Sequence, residues 1–338
     1  MSGRKLTRQQ RFRIERKQQE RNQRSARRES REQEKLESGE YGGEQPGRII
    51  AHFGRSLEVE SEHGSLHRCH LRANIESLVA GDRVSWREGD DGSGVVVARH
   101  ARSSTLERPG FKGQLKPVAA NLDRIMIVFA AEPAPFPNLI DRYLVAAEDT
   151  GIQPMLVLNK VDLLTDEAKR HQVMGLLERY QRLGYEVIET SIDSAHGLDA
   201  LTAALADHVA VFVGQSGVGK SSLIQTLLPD QTLKVGELSS DTRKGTHTTT
   251  AARLYHFPAG GDLIDSPGIR EFGLGHLDET AIAEGFIEFR PFLGHCRFRN
   301  CRHINNEPGC ALVKAVEDRA IDPARYESFK HIVADPER

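Results

Sequence analysis

The stretch Val209–Leu228, VAVFVGQSGVGKSSLIQTLL, constrains this chain more than any other. A run rich in β-branched residues passes through glycines into a segment whose apolar residues, Leu223, Ile224, Leu227 and Leu228, return at helical spacing. That pattern predicts a buried strand, a tight turn and an amphipathic helix. The turn carries G-x-x-x-x-G-K-[ST] as Gly214, Gln215, Ser216, Gly217, Val218, Gly219, Lys220 and Ser221, with Ser222 following. In that context backbone N–H groups at the helix N-terminus close round a di- or triphosphate. Lys220 then reaches the terminal phosphates, and the Ser221 hydroxyl ligates Mg²⁺. A glycine-rich turn with no ligand is the plain alternative, but it does not require all of these positions to match at once.

The chain has 338 residues, 38% hydrophobic and 28% charged, enough for two or three domains. No run approaches the ~18 apolar residues of a membrane span, and MSGRKLTRQQRFRIER contains no apolar secretion core. A cytoplasmic monomer without membrane contact is the expectation. The formal net charge of −2 conceals an asymmetry: residues 1–40 hold 13 Lys or Arg against 7 Asp or Glu. Such a basic tail attracts polyanions through counterion release, which points first to nucleic acid.

Four regions follow from the patterning. Residues 1–46 are polar and basic, with Glu44–Gly47 as a linker out. Residues 47–116 show short strands and turns (GRIIAHFG, SLEVES, SLHRCHLRA, VAGDRVSWREGDDGSGVVVARH), an all-β signature that fits a small barrel of the OB type. Phe53 and Trp86 are its candidate stacking aromatics, and Gly110–Lys116 reads as an exposed connector. Residues 117–275 alternate strands and helices, which predicts a mostly parallel sheet with ligand loops at the strand carboxyl ends. Residues 276–338 hold three of the four cysteines and two helical segments. Cys69 stands apart and reads as structural.

Asn159, Lys160, Val161 and Asp162 follow a strand end, where a loop lines the ligand crevice. An aspartate there accepts both N1–H and the exocyclic amine of guanine, a donor pair that adenine lacks. Asn159 can meet the purine's other edge and Lys160 can cover its face. Ser191, at the next strand end, can complete the base pocket through backbone N–H groups. Downstream of the phosphate loop, Gly245–Thr250 supplies threonines, of which Thr249 is the candidate for Mg²⁺ beside Ser221. Asp265-Ser266-Pro267-Gly268 places an Asp near Mg²⁺ and a Gly N–H near a γ-phosphate. The position after Gly268 is Ile269, whose alkyl group cannot polarise water. His247 is therefore the candidate catalytic residue, a neutral imidazole that can accept from an attacking water.

Cys296, Cys301, His303 and Cys310 bring three thiolates and one imidazole into fifteen residues. This Cys₃His set suits a closed, structural zinc site with no open position for water. Arg290, Arg297, Arg299, Arg302, His295 and Phe298 surround it and form a candidate RNA surface.

Together the phosphate loop, threonine switch, D-x-x-G, N-K-x-D and Thr-Ser base loop resemble the five motifs of Ras-like GTPases, but Asn159 and Ser191 precede Gly214. The order is circularly permuted. With the upstream barrel and the downstream cysteine cluster, residues 47–335 closely resemble the RsgA (YjeQ) family of small ribosomal subunit biogenesis GTPases. The resemblance implies an OB-type barrel, a circularly permuted Ras-like P-loop domain and a zinc-binding helical module. It also implies GTP and GDP as ligands, rRNA of the small subunit as partner, and hydrolysis stimulated by that subunit late in its maturation. Two other readings exist: a nucleotide-controlled RNA-binding assembly factor in which hydrolysis serves only release, and an ATP-dependent kinase, against which the Asn159–Asp162 loop argues. Because the second switch leads straight into the C-terminal module, the nucleotide state is expected to set that module's position.

Overall fold

The computed structural model describes residues 41–54, 56–72, 75, 77–90, 92–109, 114–229, 252–265, 274–304 and 307–335. The described residues fall into two compact units, one drawn from residues 41–78 and 83–101 and the other from 79–82 and 102–335.

The first unit is a closed five-stranded barrel. Its strands are β1 (Tyr41–Phe53), β2 (Ser56–Ser61), β3 (Leu66–Leu71), β4 (Arg83–Gly89) and β5 (Ser93–Arg99). The order β1-β2-β3-β5-β4 closes because the first half of β1 pairs with β4 and the second half with β2. β1 begins at Tyr41, so Glu44–Gly47 is part of a strand and not a linker: it pairs with Val84–Arg87 of β4. Alternating residues fill the interior, with Ile49, Leu57, Val59, Cys69, Val84, Trp86 and Val96 in one cluster. Trp86 is wholly buried and its indole N–H donates to the Pro46 carbonyl at 3.2 Å. It therefore offers no stacking platform, whereas Phe53 is half exposed. Burial pushes the Cys69 thiol up to about 12, which keeps it an inert core residue.

The second unit opens on the hairpin β6 (Thr105–Pro109) and β7 (Leu115–Ala120), so the stretch expected as a connector is partly an antiparallel strand. Its main sheet comprises β8 (Arg124–Ala130), β9 (Gln153–Asn159), β10 (Glu186–Glu189), β11 (Val209–Val213), β12 (Arg253–His256) and β13 (Asp262–Asp265). The order is β10-β9-β8-β11-β13-β12, parallel throughout except for β12. β8 is apolar from Ile125 to Ala130, as suits a strand between two parallel neighbours with both faces covered. The crossovers are helices α1 (Pro137–Thr150), α2 (Glu167–Arg182) and α3 (Asp199–Leu205), and α4 (Lys220–Leu227) follows the phosphate loop. α1 has Pro137 in its first turn and stops at Gly151 in the left-handed region, while Asp166 caps α2 by accepting from the Lys169 amide.

The C-terminal segment packs directly on α1. It consists of α5 (Glu279–Glu284), a 3₁₀ turn (Ile287–Phe292), α6 (Ala311–Glu317) and α7 (Pro323–Ala334). Val145 and Ala146 of α1 share one apolar cluster with Ile282, Phe286, Phe289, Leu312, Phe329 and Ile332. Phe289 stacks on Phe286 at 4.8 Å and meets Phe329 edge-on at 5.5 Å.

Beside this core Arg325 of α7 is 1% exposed. Its guanidinium donates to Asp141 of α1 and to both carboxylate oxygens of Glu288, at 2.6 and 3.1 Å. Tyr180 of α2 donates to the same Asp141 oxygen at 2.7 Å, and the Arg325 guanidinium lies 4.4 Å from the Phe286 ring. The module is thus keyed to α1 and α2 by shape and by charge. Arg325→Ala strands two carboxylates with little access to water, and removing one partner of a buried pair costs about 3–5 kcal/mol. Urea denaturation should show a loss of that size, and a change well under ~1 kcal/mol, the scale of an exposed pair, would contradict this account of the network.

Candidate nucleotide and metal sites

The parallel strands deliver three loops to one edge of the sheet: residues 214–219 after β11, 160–163 after β9 and 190–197 after β10. Asn159 joins them. It is 2% exposed, its side-chain amide donates to the Val218 carbonyl at 2.9 Å, and its side-chain carbonyl accepts from the Thr190 hydroxyl at 3.2 Å. Asn159 therefore braces the phosphate loop against the base loops in addition to any contact it makes with a purine.

The phosphate loop has no room for side chains where it meets its neighbours. Gly214 (φ 138°) and Gly219 (φ 94°) both lie at positive φ; a Cβ on Gly214 would sit 2.0 Å from the Val128 carbonyl oxygen, and one on Gly219 would sit 2.4 Å from the Asn159 amide nitrogen. Between them Gln215, Ser216 and Gly217 are at least partly exposed and Val218 is buried beneath. The Lys220 ammonium donates to the Gly214 and Gln215 carbonyls, both at 2.6 Å, so it spans the loop. Ser221 and Ser222 lie in the first turn of α4.

On the base side, Lys160 adopts φ 59° and donates to the Gly217 carbonyl at 2.8 Å. Val161 and Asp162 form a 3₁₀ turn with Leu163. The exposed Asp162 carboxylate accepts from the Ser191 hydroxyl at 2.5 Å. Ser191 is 1% exposed, and its backbone N–H is taken by the Gly197 carbonyl at 3.2 Å. Its visible part is thus to orient Asp162 through the hydroxyl, a different part from the backbone donation expected of it. Thr190, the threonine of the Thr-Ser base loop, is wholly buried and serves the site through its hydroxyl contact with Asn159. Asp265 ends β13, the parallel neighbour of β11. His247, Thr249 and Gly268 lie outside the described residues.

The second cluster is Cys296, Cys301, His303 and Cys310, whose ligand atoms all lie within 4.8 Å of one another. His303 Nδ1 is 3.5, 3.5 and 3.4 Å from the sulfurs of Cys296, Cys301 and Cys310, and the Cys296 and Cys310 sulfurs are 4.0 Å apart. A tetrahedron with ordinary zinc–ligand bonds has sulfurs about 3.8 Å apart and nitrogen about 3.6 Å from sulfur. The donor set fits a metal ion of that kind. Burial pushes the Cys301 thiol up and the His303 imidazole down. The neutral imidazole is the ligating form, and a cation among the thiols is what makes them thiolates. Outside the ligands, the Ala311 amide donates to the Cys296 sulfur at 3.2 Å, and Tyr326 of α7 donates to the His303 carbonyl at 2.7 Å.

Two of the arginines expected on the RNA surface are engaged within the protein. Arg290 pairs with Glu148 at 2.7 Å and donates to the Glu284 carbonyl, while Arg302 grips Glu279 with both arms of its fork. Arg297, Phe298 and Arg299 are exposed between two metal-type ligands, with the Arg297 guanidinium 5.4 Å from the Phe298 ring centre.

A phosphate loop and a base loop braced together at one sheet edge, in permuted chain order and preceded by a five-stranded barrel, define a circularly permuted P-loop GTPase. The RsgA GTPase family model matches residues 99–275. The chain is 64% identical over 337 residues to the Small ribosomal subunit biogenesis GTPase RsgA of Chromohalobacter salexigens, covering 98% of each. Among solved structures it resembles YjeQ from Thermotoga maritima, with a TM-score of 0.70 and 30% identity over 86% of this chain and 98% of that one. It also resembles YloQ, described as a circularly permuted GTPase, with a TM-score of 0.68 and 29% identity over 86% and 94%. This chain belongs to the RsgA GTPase family, and it is a GTP hydrolase.

Since Gly219 lies against Asn159, Gly219→Ala should displace both the phosphate loop and the base loop. Fluorescent GDP titration is expected to show affinity reduced about tenfold or more. Wild-type affinity in a folded Gly219→Ala protein would mean that the two loops are not mechanically joined.

Proposed function

We propose that this protein binds the small ribosomal subunit and hydrolyses GTP late in that subunit's maturation, slowly when free and faster on the particle. What supports the reading is the combination on one chain of a phosphate loop braced to the Asn159–Asp162 loop and a Cys₃His cluster with Arg297, Phe298 and Arg299 exposed between two of its ligands. A cation beside an aromatic ring suits RNA phosphates and unstacked bases. The relatives named for small-subunit biogenesis support the choice of particle. Among the described residues no helix is long and apolar enough to cross a membrane, and we place the protein in the cytoplasm as a monomer.

In this reading Asp162 takes the donor pair of guanine, with Ser191 orienting its carboxylate. Lys160 covers the base, while the loop from Gly214 to Ser222 encloses the phosphates. Ser221 and Thr249 would hold Mg²⁺, which supplies charge neutralisation at the β- and γ-phosphates. Asp265 would hold Mg²⁺ through water, the Gly268 N–H meets the γ-phosphate, and His247 orients the attacking water by accepting a hydrogen bond from it. Cys296, Cys301, His303 and Cys310 would hold one zinc ion, whose part is to fold the knuckle.

Turnover of GTP with and without small subunits tests the proposal directly. Stimulation is expected, and its absence would favour an assembly factor in which hydrolysis only times release. His247→Ala should retain GTP affinity, lose most of the stimulated hydrolysis and stay on the subunits in the GTP form. Wild-type single-turnover rates in that variant would assign the water to another group. Elemental analysis of gently purified protein should find about one zinc per chain, as a closed Cys₃His set requires. Cys301→Ser should lower that content and weaken binding to subunits. Metal-free protein with full subunit affinity would remove the knuckle from the interface.

A further inference from the structure

We propose that Glu132 and Lys169 form a positioning pair for the nucleotide base, holding the loop after β8 so that Lys160 stays over the base face. The inference rests on the reading above that the loop from Asn159 to Asp162 receives the base.

Lys160 makes a second contact that the motif does not account for. Besides the Gly217 carbonyl, its ammonium donates to the Glu132 carbonyl at 2.9 Å. That single cation therefore ties the phosphate loop to the segment leaving β8. Ala131, one residue earlier, is buried and donates from its backbone to the Asn159 carbonyl at 3.0 Å, so the segment runs beside the base loop from its first residue. Pro133 follows, with its ring 4.0 Å from where a Cβ on Gly217 would stand. The segment is thus a third wall beside the two loops of the motifs.

Glu132 is exposed, and its carboxylate accepts from the Lys169 ammonium. Lys169 lies in the first turn of α2, where its own amide is fixed by Asp166 at 2.7 Å. The hydrogen bond and charge of Lys169, with Lys160 adding a smaller part, hold the Glu132 carboxyl below its usual range. One carboxylate thus stands between two lysines and is bonded to one of them. Without it the two ammonium groups repel each other, the loop loses its anchor on α2, and the Glu132 carbonyl no longer holds Lys160 in register.

A lysine stem laid over a base face reads no base edge. The pair should therefore set affinity for GTP and GDP alike and leave discrimination between guanine, xanthine and adenine unchanged. An exposed ion pair has modest weight, so Glu132→Gln and Lys169→Met are each expected to raise the Kd for GDP about 2- to 5-fold. The effect should shrink as ionic strength rises. The double variant should be no worse than the weaker single one, because both remove the same contact. In turnover assays the loss should fall on KM for GTP.

The measurements are fluorescent GDP titrations at low and high salt, with Asp162→Asn run in parallel. If Asp162→Asn shifts preference toward xanthine nucleotides while Glu132→Gln and Lys169→Met bind GDP as the wild type does, the positioning role falls and the base reading stands. If Asp162→Asn leaves preference unchanged, the base reading falls and takes this inference with it. Lower thermal stability with unchanged Kd would reduce the pair to a brace for α2 and overturn the proposal. Salt-sensitive, non-additive losses of GDP affinity with unchanged base preference would establish it.

Discussion

The nucleotide edge of this protein depends on one buried side-chain amide. Parallel strands end at one side of a sheet, but they do not by themselves hold their loops in a common geometry. Asn159 does so by donating across to Val218 in the phosphate loop and accepting from Thr190 at the next strand end. With 2% of its surface exposed, it cannot turn to water if either contact is lost. Leaving a buried polar group unpaired costs about 1–3 kcal/mol, so a shift of one loop is felt by the others. The absence of a side chain on Gly219 permits this approach.

The C-terminal module is held by a different kind of contact. Its apolar cluster meets α1 through a broad aromatic face of Phe286, Phe289 and Phe329, and apolar contact is by itself non-directional. Arg325 supplies the direction. Its fork must meet Asp141 and Glu288 together, and Tyr180 donates to the same Asp141 oxygen. Against a well-packed apolar residue a buried ion pair gains little or nothing, so the network is better understood as setting register than as adding stability. Tyr326, one residue on, extends the hold to the knuckle by donating to the His303 carbonyl.

The sequence exposed what is periodic and what is spaced. The β11 strand, the glycine turn and α4 stand where VAVFV, GQSGVG and the following apolar repeat put them, because local backbone demands and the burial pattern agree there. The four metal-type ligands are as plain in spacing as in space. What stayed hidden was pairing between distant residues. Glu44–Gly47 has the composition of a linker and becomes a strand only because β4 supplies its partner. Trp86 looks like a stacking residue until the barrel closes round it. Glu132, Arg325 and Asp141 belong to no motif, and only the fold brings their partners within reach. The same holds for Arg290 and Arg302, whose acidic partners come from other segments of the fold.

These contacts bear on how a nucleotide signal can travel. The permuted order sends the chain from Asp265 toward the C-terminal module, which suggests a lever moved by the γ-phosphate. Yet the module is already seated on α1 through a shared cluster of large apolar side chains, each of which gains about 1.5–3 kcal/mol from full burial, with Arg325 setting the register. Coupling between ligand sites is typically about 1–3 kcal/mol. A γ-phosphate working within that range is too weak to lift the module off α1, where the apolar cluster would have to be exposed. The magnitudes favour a module that rides with α1 and α2 as one body. The nucleotide state would then be expressed at the loops around the phosphate, presented to a partner against the fixed surface of the knuckle.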